Sequence, residues 1–202
     1  MKPLNQSFYL RDSLIVAQEI LGKILVRQIE DKCYGFRIVE TEAYRGIADK
    51  AAHAYKGKRT NRTEPMFKEG GITYIYFIYG MYHCLNIVTN EENTPHAVLI
   101  RAIEPIDDEA VQFAALNRKI KSKKIYDLTN GPGKLCKALD IDKTLNEQDV
   151  TRKGPLWITE GSTTHEVISD KRINIPYAME YQDVEWRFYI KDNKFVSVLK
   201  KH

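Results

Sequence analysis

Two runs of strand-forming residues constrain the fold of this chain most. Residues 37–44 read Arg-Ile-Val-Glu-Thr-Glu-Ala-Tyr, and residues 74–86 read Tyr-Ile-Tyr-Phe-Ile-Tyr-Gly-Met-Tyr-His-Cys-Leu-Asn. Successive side chains of a strand alternate between its two faces, so Glu40, Glu42 and Tyr44 are predicted to share one face. Glutamate is a poor strand former, and two glutamates inside an apolar strand therefore indicate a special role.

The second run is rich in aromatic residues and contains a turn signal. Gly80 directly follows Tyr79, and a glycine at this point predicts a hairpin with Tyr79 at its tip. Tyr76 and Tyr79 are three residues apart, so an uninterrupted strand would direct them to opposite faces. One of the two rings would then line a pocket while the other points outward.

The rest of the chain alternates helical and strand patterns. Helices are predicted over residues 13–21, 107–120 and 133–139, and strands over 24–29, 34–44, 72–79, 82–89, 97–103, 156–159, 172–175, 186–191 and 195–199. Residues 46–71 lack a clean periodicity, and so long a connection inside a domain is usually functional. The pattern predicts an α+β fold, a single domain over residues 1–202 with a curved, largely antiparallel β-sheet core flanked by helices.

Length and composition exclude several classes of protein. A chain of 202 residues is long enough to bury one core without disulfides or metal. No apolar run reaches membrane-spanning length and the amino terminus lacks an apolar signal segment, so we expect a cytoplasmic monomer without membrane contact. The three cysteines, Cys33, Cys84 and Cys136, are widely spaced and are expected to be reduced thiols. No metal site or cofactor is expected.

The net charge of +4 is modest, but the charge is unevenly distributed. The loop region 45–69 contains seven basic and three acidic residues, and a second basic run lies at residues 118–124. Charge runs are often only solvated surface. Basic loops beside an aromatic hairpin nevertheless favour contact with nucleic acid.

Several short motifs, in order, resemble the alkyladenine (3-methyladenine) DNA glycosylase family. They are Val-Glu-Thr-Glu-Ala-Tyr at 39–44, Ala-Ala-His at 51–53, Met-Phe at 66–67, Tyr-Gly-Met-Tyr at 79–82, Asn86, Leu-Ile-Arg-Ala-Ile-Glu-Pro at 99–105 and Gly-Pro-Gly-Lys-Leu-Cys at 131–136. The likeness covers most of the chain, and its compact form resembles the bacterial branch. It implies a metal-free hydrolase that acts on double-stranded DNA carrying damaged purines.

The resemblance implies a role for each matching residue in base excision. Glu42 matches the catalytic glutamate that activates water, and Arg101 matches an arginine near that water, which would hold either the carboxylate or the flipped phosphate. The residues that match the purine pocket and its floor are Tyr44, His53, Tyr76 and Asn86. An enzyme of this kind must extrude the nucleotide from the duplex before it hydrolyses the N-glycosidic bond.

Other matching residues would contact the DNA itself. Tyr79 matches the intercalating residue that fills the gap left by the extruded base, and Met81 would support it. Lys134, near the start of a predicted helix, matches a contact to the DNA backbone. No lysine is placed as a sugar nucleophile, so the product is expected to be an abasic site. Asn61 stands where relatives commonly have proline, and this difference removes a rigid residue from the basic loop.

Two other functions are compatible with the residues alone. A glycoside hydrolase could use Glu40 and Glu42, which would stand about 7 Å apart on a strand, within the range of roughly 6.5 to 9.5 Å for an inverting carboxylate pair. A non-catalytic nucleic-acid-binding module could keep the aromatic residues without any chemistry. We expect Glu40 to be structural, and Glu42 to lie at an edge of the sheet facing a cavity lined by aromatic rings.

Overall fold

The computed structural model describes residues 2–78, 80–120, 122, 124–161 and 164–199. Its helices are α1 (Gln6–Tyr9), α2 (Ser13–Glu19), α3 (Asp108–Arg118) and α4 (Pro132–Ala138). Its strands are β1 (Ile24–Ile29), β2 (Lys32–Arg45), β3 (Thr73–Ile78), β4 (Tyr82–Thr89), β5 (His96–Pro105), β6 (Leu156–Thr159), β7 (Val167–Asp170) and β8 (Arg187–Ile190). The α+β class, built on an antiparallel sheet with helices beside it, is confirmed.

The eight strands form one sheet in which every pairing is antiparallel. The order along its main path is β3-β4-β5-β2-β1-β6, while β8 pairs with both β2 and β7. The fourteen-residue strand β2 pairs with β5 on one side and with β1 and then β8 on the other. Glu42 lies opposite both Leu99 and Arg187. The expectation that Glu42 lies at a sheet edge is therefore wrong.

An irregularity in strand β2 sets the register around the acidic residues. The pairing of β2 with β5 shifts on both sides of Glu40, so that Glu40 lies opposite Ala102 while Thr41 lies opposite Ile100. Arg101 therefore has no directly opposite residue on β2. A β-bulge bends a strand and redirects its side chains, and here it allows Arg101 to reach both Glu40 and Glu42.

Side-chain caps fix the starts of two helices that cover the sheet. The carboxylate of Asp12 accepts a hydrogen bond from the Leu14 amide at 2.9 Å, and that of Asp107 accepts one from the Ala110 amide at 2.8 Å. Such caps satisfy amide groups that have no partner within the helix. Helix α2 then buries Val16 and packs against β2 and β5, and α4 packs behind β4.

Most predicted elements are present, but two predicted strands are wrong. Residues 172–175 and 195–199 form no strand, and β7 was not predicted. In both segments a backbone amide is used to bind a buried carboxylate: Ile173 donates to Glu42 at 2.7 Å and Ser197 donates to Glu40 at 2.7 Å. Among the described residues, no helix is long and apolar enough to span a membrane.

Candidate active site

A cavity of about 470 Å³ opens beside the centre of the sheet. Its lining comes from β2, β3, β4 and β5, from the start of α4, from the loop that carries His53, and from the segment 173–177. The side chains that line it include Glu42, Tyr44, His53, Arg62, Tyr76, Tyr82, Cys84, Arg101, Arg118, Lys134 and Tyr177. A volume of several hundred cubic ångströms is typical of a small-molecule or base-sized site.

Glu42 lies at the base of this cavity and is fully buried. Its Oε2 accepts a hydrogen bond from the Tyr44 hydroxyl at 2.9 Å, and its Oε1 accepts one from the Ile173 amide at 2.7 Å. The same Oε1 forms an ion pair with Nη1 of Arg101 at 3.2 Å. A carboxylate offers roughly four acceptor positions. Among the described residues, two hydrogen bonds and one ion pair occupy three of these positions, which leaves one on Oε2.

Glu42 belongs to a group of four buried charged residues that we call the charged floor: Glu40, Glu42, Arg101 and Arg187. Arg101 donates from Nε to Glu40 at 3.1 Å, and Arg187 donates from Nη1 to the same oxygen at 2.9 Å. Burial opposes the charged form of Arg101, but the carboxylates of Glu42 and Glu40 outweigh it and raise its pKa. Arg101 is therefore a permanent cation beside Glu42.

Aromatic rings form the walls above the charged floor. The rings of His53 and Tyr76 meet edge to face with centroids 4.6 Å apart, and the guanidinium of Arg62 lies 5.3 Å from the Tyr76 centroid. Tyr44 is held from below by its hydrogen bond to Glu42 and by the guanidinium of Arg172, 4.8 Å from its ring. These faces suit stacking on a planar, electron-poor ring.

The walls remain uncharged at neutral pH. Burial is the largest cause that raises the pKa of Tyr44, followed by the charge of Glu42. Burial also raises the pKa of Tyr76. It lowers the pKa of His53 to about 4, with the nearby charges of Arg62 and Lys58 acting in the same direction. Tyr44 therefore stays a hydrogen-bond donor to Glu42, and His53 is a neutral imidazole.

A smaller cavity of about 30 Å³ shares Tyr44, His53 and Tyr76 with the larger one and is also lined by Asn86. The Asn86 side chain is buried and donates a hydrogen bond to the Tyr74 carbonyl at 3.0 Å. Nδ1 of His53 lies 2.9 Å from the Tyr74 hydroxyl. Asn86 thus lies beside the same rings as the sequence motif implied.

A buried ion pair attaches the loop of His53 to the far end of the chain. The guanidinium of Arg172 donates to both oxygens of Asp49, at 2.6 and 2.8 Å, and both side chains are fully buried. Asp49 also accepts hydrogen bonds from the Arg45 and Ala51 amides. Because Ile173 follows Arg172 directly, this pair also fixes the segment that donates to Glu42.

Of the predicted DNA-contacting residues that the structure describes, Lys134 lines the cavity and Met81 lies on the hairpin beside Tyr82, which also lines it. The hairpin of β3 and β4 turns at Gly80, whose φ of +66° suits glycine, and Met81 is 66% exposed beside it. Tyr79 lies outside the described residues, so its predicted intercalating role is not tested by the structure. Lys134 lines the cavity and donates from Nζ to the Asn130 side chain at 2.7 Å.

The structure therefore brings Glu42, Arg101, Tyr44, His53 and Tyr76 together at one cavity. The cavity is also lined by residues that were not predicted as site residues, among them Ile173, Asn174 and Tyr177, and by Arg118 from the second basic run. No local motif marks the segment 173–177, since it lies far along the sequence from the strands that carry Glu42 and Tyr76. The aromatic residues Tyr177, Tyr181 and Trp186 lie close together in sequence, but such a composition alone is only a weak indication of a site.

Comparison with known families agrees with this geometry. The model of the family described as methylpurine-DNA glycosylase (MPG) matches residues 7–194. The chain belongs to the methylpurine-DNA glycosylase family. The matched range includes every candidate site residue and Ile173, whose amide binds Glu42, and it ends before Ser197.

Several bacterial relatives cover nearly the whole chain, and each is provisionally named a 3-methyladenine DNA glycosylase. One from Clostridium botulinum is 51% identical over 198 residues, covering 96% of this chain and 98% of the relative. One from Desulfitobacterium hafniense is 51% identical over 204 residues, covering 98% and 100%. One from Natranaerobius thermophilus is 48% identical over 197 residues. Membership in a DNA glycosylase family identifies DNA as the class of substrate.

Proposed function

We propose that this protein is a monofunctional glycosylase that removes alkylated or deaminated purines from double-stranded DNA. The damaged nucleotide would be extruded from the helix into the cavity of about 470 Å³, where water hydrolyses its N-glycosidic bond. The products would be a free purine and an abasic site. The relatives' names refer to 3-methyladenine, which makes this lesion the first to test.

The observation that carries the proposal is the position of Glu42. Its carboxylate lies at a ring-lined cavity and is held by two hydrogen bonds and one ion pair among the described residues, which leaves one acceptor position on Oε2. In the proposed step, a water oxygen bonds to the sugar C1′ while the C1′–N bond breaks. Glu42 accepts the proton of that water. A cationic alkylated purine takes the bonding electrons and leaves as a neutral base.

The walls of the cavity support a preference for damaged purines. Tyr44, Tyr76 and the neutral imidazole of His53 offer π faces that attract an electron-poor or positively charged base. Damage also lowers the energy needed to unstack the base, which contributes selectivity before the pocket is reached. Asn86 beside these rings would restrict substituents on the base edge.

The mouth of the cavity fits a DNA backbone. Arg62, Arg118 and Lys134 all line the cavity and supply positive charge. Lys134 would contact a phosphate, and Met81 at the hairpin turn would support insertion of Tyr79 between base pairs. The enzyme would act as a monomer on one lesion at a time.

The decisive experiment measures base release from duplexes that each carry one defined lesion: 3-methyladenine, 7-methylguanine, hypoxanthine or ethenoadenine. Wild type is compared with Glu42→Gln, and Glu104→Gln serves as a matched control on strand β5. Glu42→Gln should lower the single-turnover rate at least about a hundredfold because no base remains. Binding to the same duplexes should change little.

Two results would contradict the proposal. If Glu42→Gln releases the base as fast as Glu104→Gln does, Glu42 does not activate water. If the wild-type protein binds lesion duplexes but releases no base, it is a nucleic-acid-binding module without catalytic activity. Borohydride trapping tests the monofunctional mechanism separately: a covalent adduct with abasic DNA that disappears in Lys134→Gln would assign a lyase step to that lysine.

A further inference from the structure

Glu40 has a contact pattern that simple stabilisation does not explain. Its carboxylate is fully buried and accepts from Arg101 on β5 at 3.1 Å, from Arg187 on β8 at 2.9 Å, and from the Ser197 amide at 2.7 Å. A buried ion pair is seldom more stable than well-packed apolar residues of similar volume. The three donors come from different parts of the chain, so Glu40 fixes their relative positions.

The guanidinium of Arg101 has a separate partner at each of its three nitrogens. Nε donates to Glu40 at 3.1 Å, Nη1 pairs with Glu42 at 3.2 Å, and Nη2 donates to the Ser197 hydroxyl at 3.3 Å. An arginine and a carboxylate left alone prefer a two-pronged pair with two parallel hydrogen bonds. Such a pair on Glu42 would use the acceptor position that remains on its Oε2.

We propose that Glu40 is a positioning residue that holds Arg101 to a single contact with Glu42 and thereby keeps one acceptor position of Glu42 open for the attacking water. The Ser197 hydroxyl assists by accepting a hydrogen bond from Nη2 of the same guanidinium. This inference rests on the proposed function, since it requires Glu42 to bind that water. It gives the carboxyl-terminal segment, through Ser197, a part in catalysis.

The chain of alternating charges around Glu40 explains how the restraint is maintained. Arg187 donates from Nη1 to Glu40 and from Nη2 to Asp170, the latter at 2.5 Å. Its Nε donates to the Lys171 carbonyl. Its Nη1 also donates to the Val198 carbonyl at 2.8 Å. Each carboxylate of the series Glu42, Glu40 and Asp170 therefore faces an arginine that is already held elsewhere.

The test is a double-mutant cycle on the single-turnover rate of base release. Glu40→Gln in the wild-type background should lower the rate by about tenfold, because the misplaced guanidinium blocks the water position. The same substitution in an Arg101→Met background should have no effect, since the residue through which Glu40 acts is gone. Glu104→Gln, another strand glutamate paired with an arginine, is the matched control.

Ser197→Ala keeps the test decisive if Glu40→Gln does not fold. It removes only the hydroxyl that accepts a hydrogen bond from Arg101. The hydrogen bond from the Ser197 backbone amide to Glu40 remains, so the protein should stay folded. The expected rate loss is about threefold, again absent in the Arg101→Met background. Binding to lesion duplexes should be unchanged by Glu40→Gln and by Ser197→Ala, because neither side chain lines the cavity.

The outcomes separate this inference from the proposed function. If Glu42→Gln is inactive while Glu40→Gln and Ser197→Ala behave like Glu104→Gln, the positioning role is wrong and the proposed function stands. If Glu40→Gln lowers the rate equally with and without Arg101, its effect is general destabilisation and the inference also fails. Activity retained by Glu42→Gln would refute the role of Glu42 as the base, and wild type that releases no base would refute the proposed function itself.

Discussion

The charged floor and the rim of the cavity are built in opposite ways. The floor residues Glu40, Glu42, Arg101 and Arg187 lie on paired strands and are nearly or fully buried. The rim, which we define as Arg62, Lys134 and Tyr177, comes from a loop, the start of α4 and the 3-10 helix Pro176–Gln182, and Arg62 and Tyr177 are exposed.

This difference indicates a division of tasks. Groups that act on the reacting atoms must be held within fractions of an ångström, which buried strands with several hydrogen bonds provide. Groups that admit a large substrate must yield to it, and loops with fewer fixed contacts allow this. We therefore expect changes in the floor to alter rates, and changes in the rim to alter binding.

The largest expected effect comes from the buried pair that attaches the His53 loop to the rest of the fold. Asp49→Asn leaves the Arg172 guanidinium buried without a counter-charge, so the free energy of unfolding should fall by about 3 to 5 kcal/mol. Urea denaturation measures this change. Glu64→Gln, in the exposed pair with Arg59, should leave the midpoint unchanged. Equal midpoints for the two variants would show that the loop is anchored by other contacts.

A second test measures how His53 makes the free energy of unfolding depend on pH. The folded pKa of His53 is lowered from 6.5 to about 4, so between these values the unfolded chain binds a proton that the folded chain does not. His53 therefore contributes its full stability above pH 6.5 and loses it as the pH falls towards 4. The loss reaches at most about 3 kcal/mol.

Thermal or urea unfolding of wild type and His53→Gln between pH 4 and 7.5 measures this contribution, because the other titrating groups are common to both proteins. The difference in unfolding free energy between them should shrink as the pH falls. A difference that stays constant over this range would show that His53 is accessible to solvent and titrates normally.

The smallest expected effect lies at the outer rim. Lys134→Gln should weaken binding to all duplexes alike and reduce the slope of log affinity against log salt by about one. The rate of base release from bound DNA should not change. Lys153→Gln, on an exposed loop away from the cavity, is the matched control. If Lys134→Gln lowers the rate of base release without changing the salt dependence of binding, Lys134 acts on the reaction and not on DNA binding.

Local patterns were sufficient to predict much of the framework. The predicted helices over 13–21 and 107–120 and the alternation in β2 depend on residues a few positions apart, so their signals are present in short stretches of sequence. The motifs around Glu42, Tyr44, His53 and Tyr76 likewise named the residues that meet at the cavity. The catalytic, stacking and intercalating roles assigned to them remain predictions.

Long-range pairing could not be read from the same patterns. The bulge at Glu40 that allows Arg101 to meet two glutamates depends on the register between β2 and β5, and Ile173 reaches Glu42 across 131 residues of chain. The segments 172–175 and 195–199 look like strands because their residues favour extended backbone. Their amides bind buried carboxylates instead, since an unpaired buried charge costs far more free energy than a strand pairing gains.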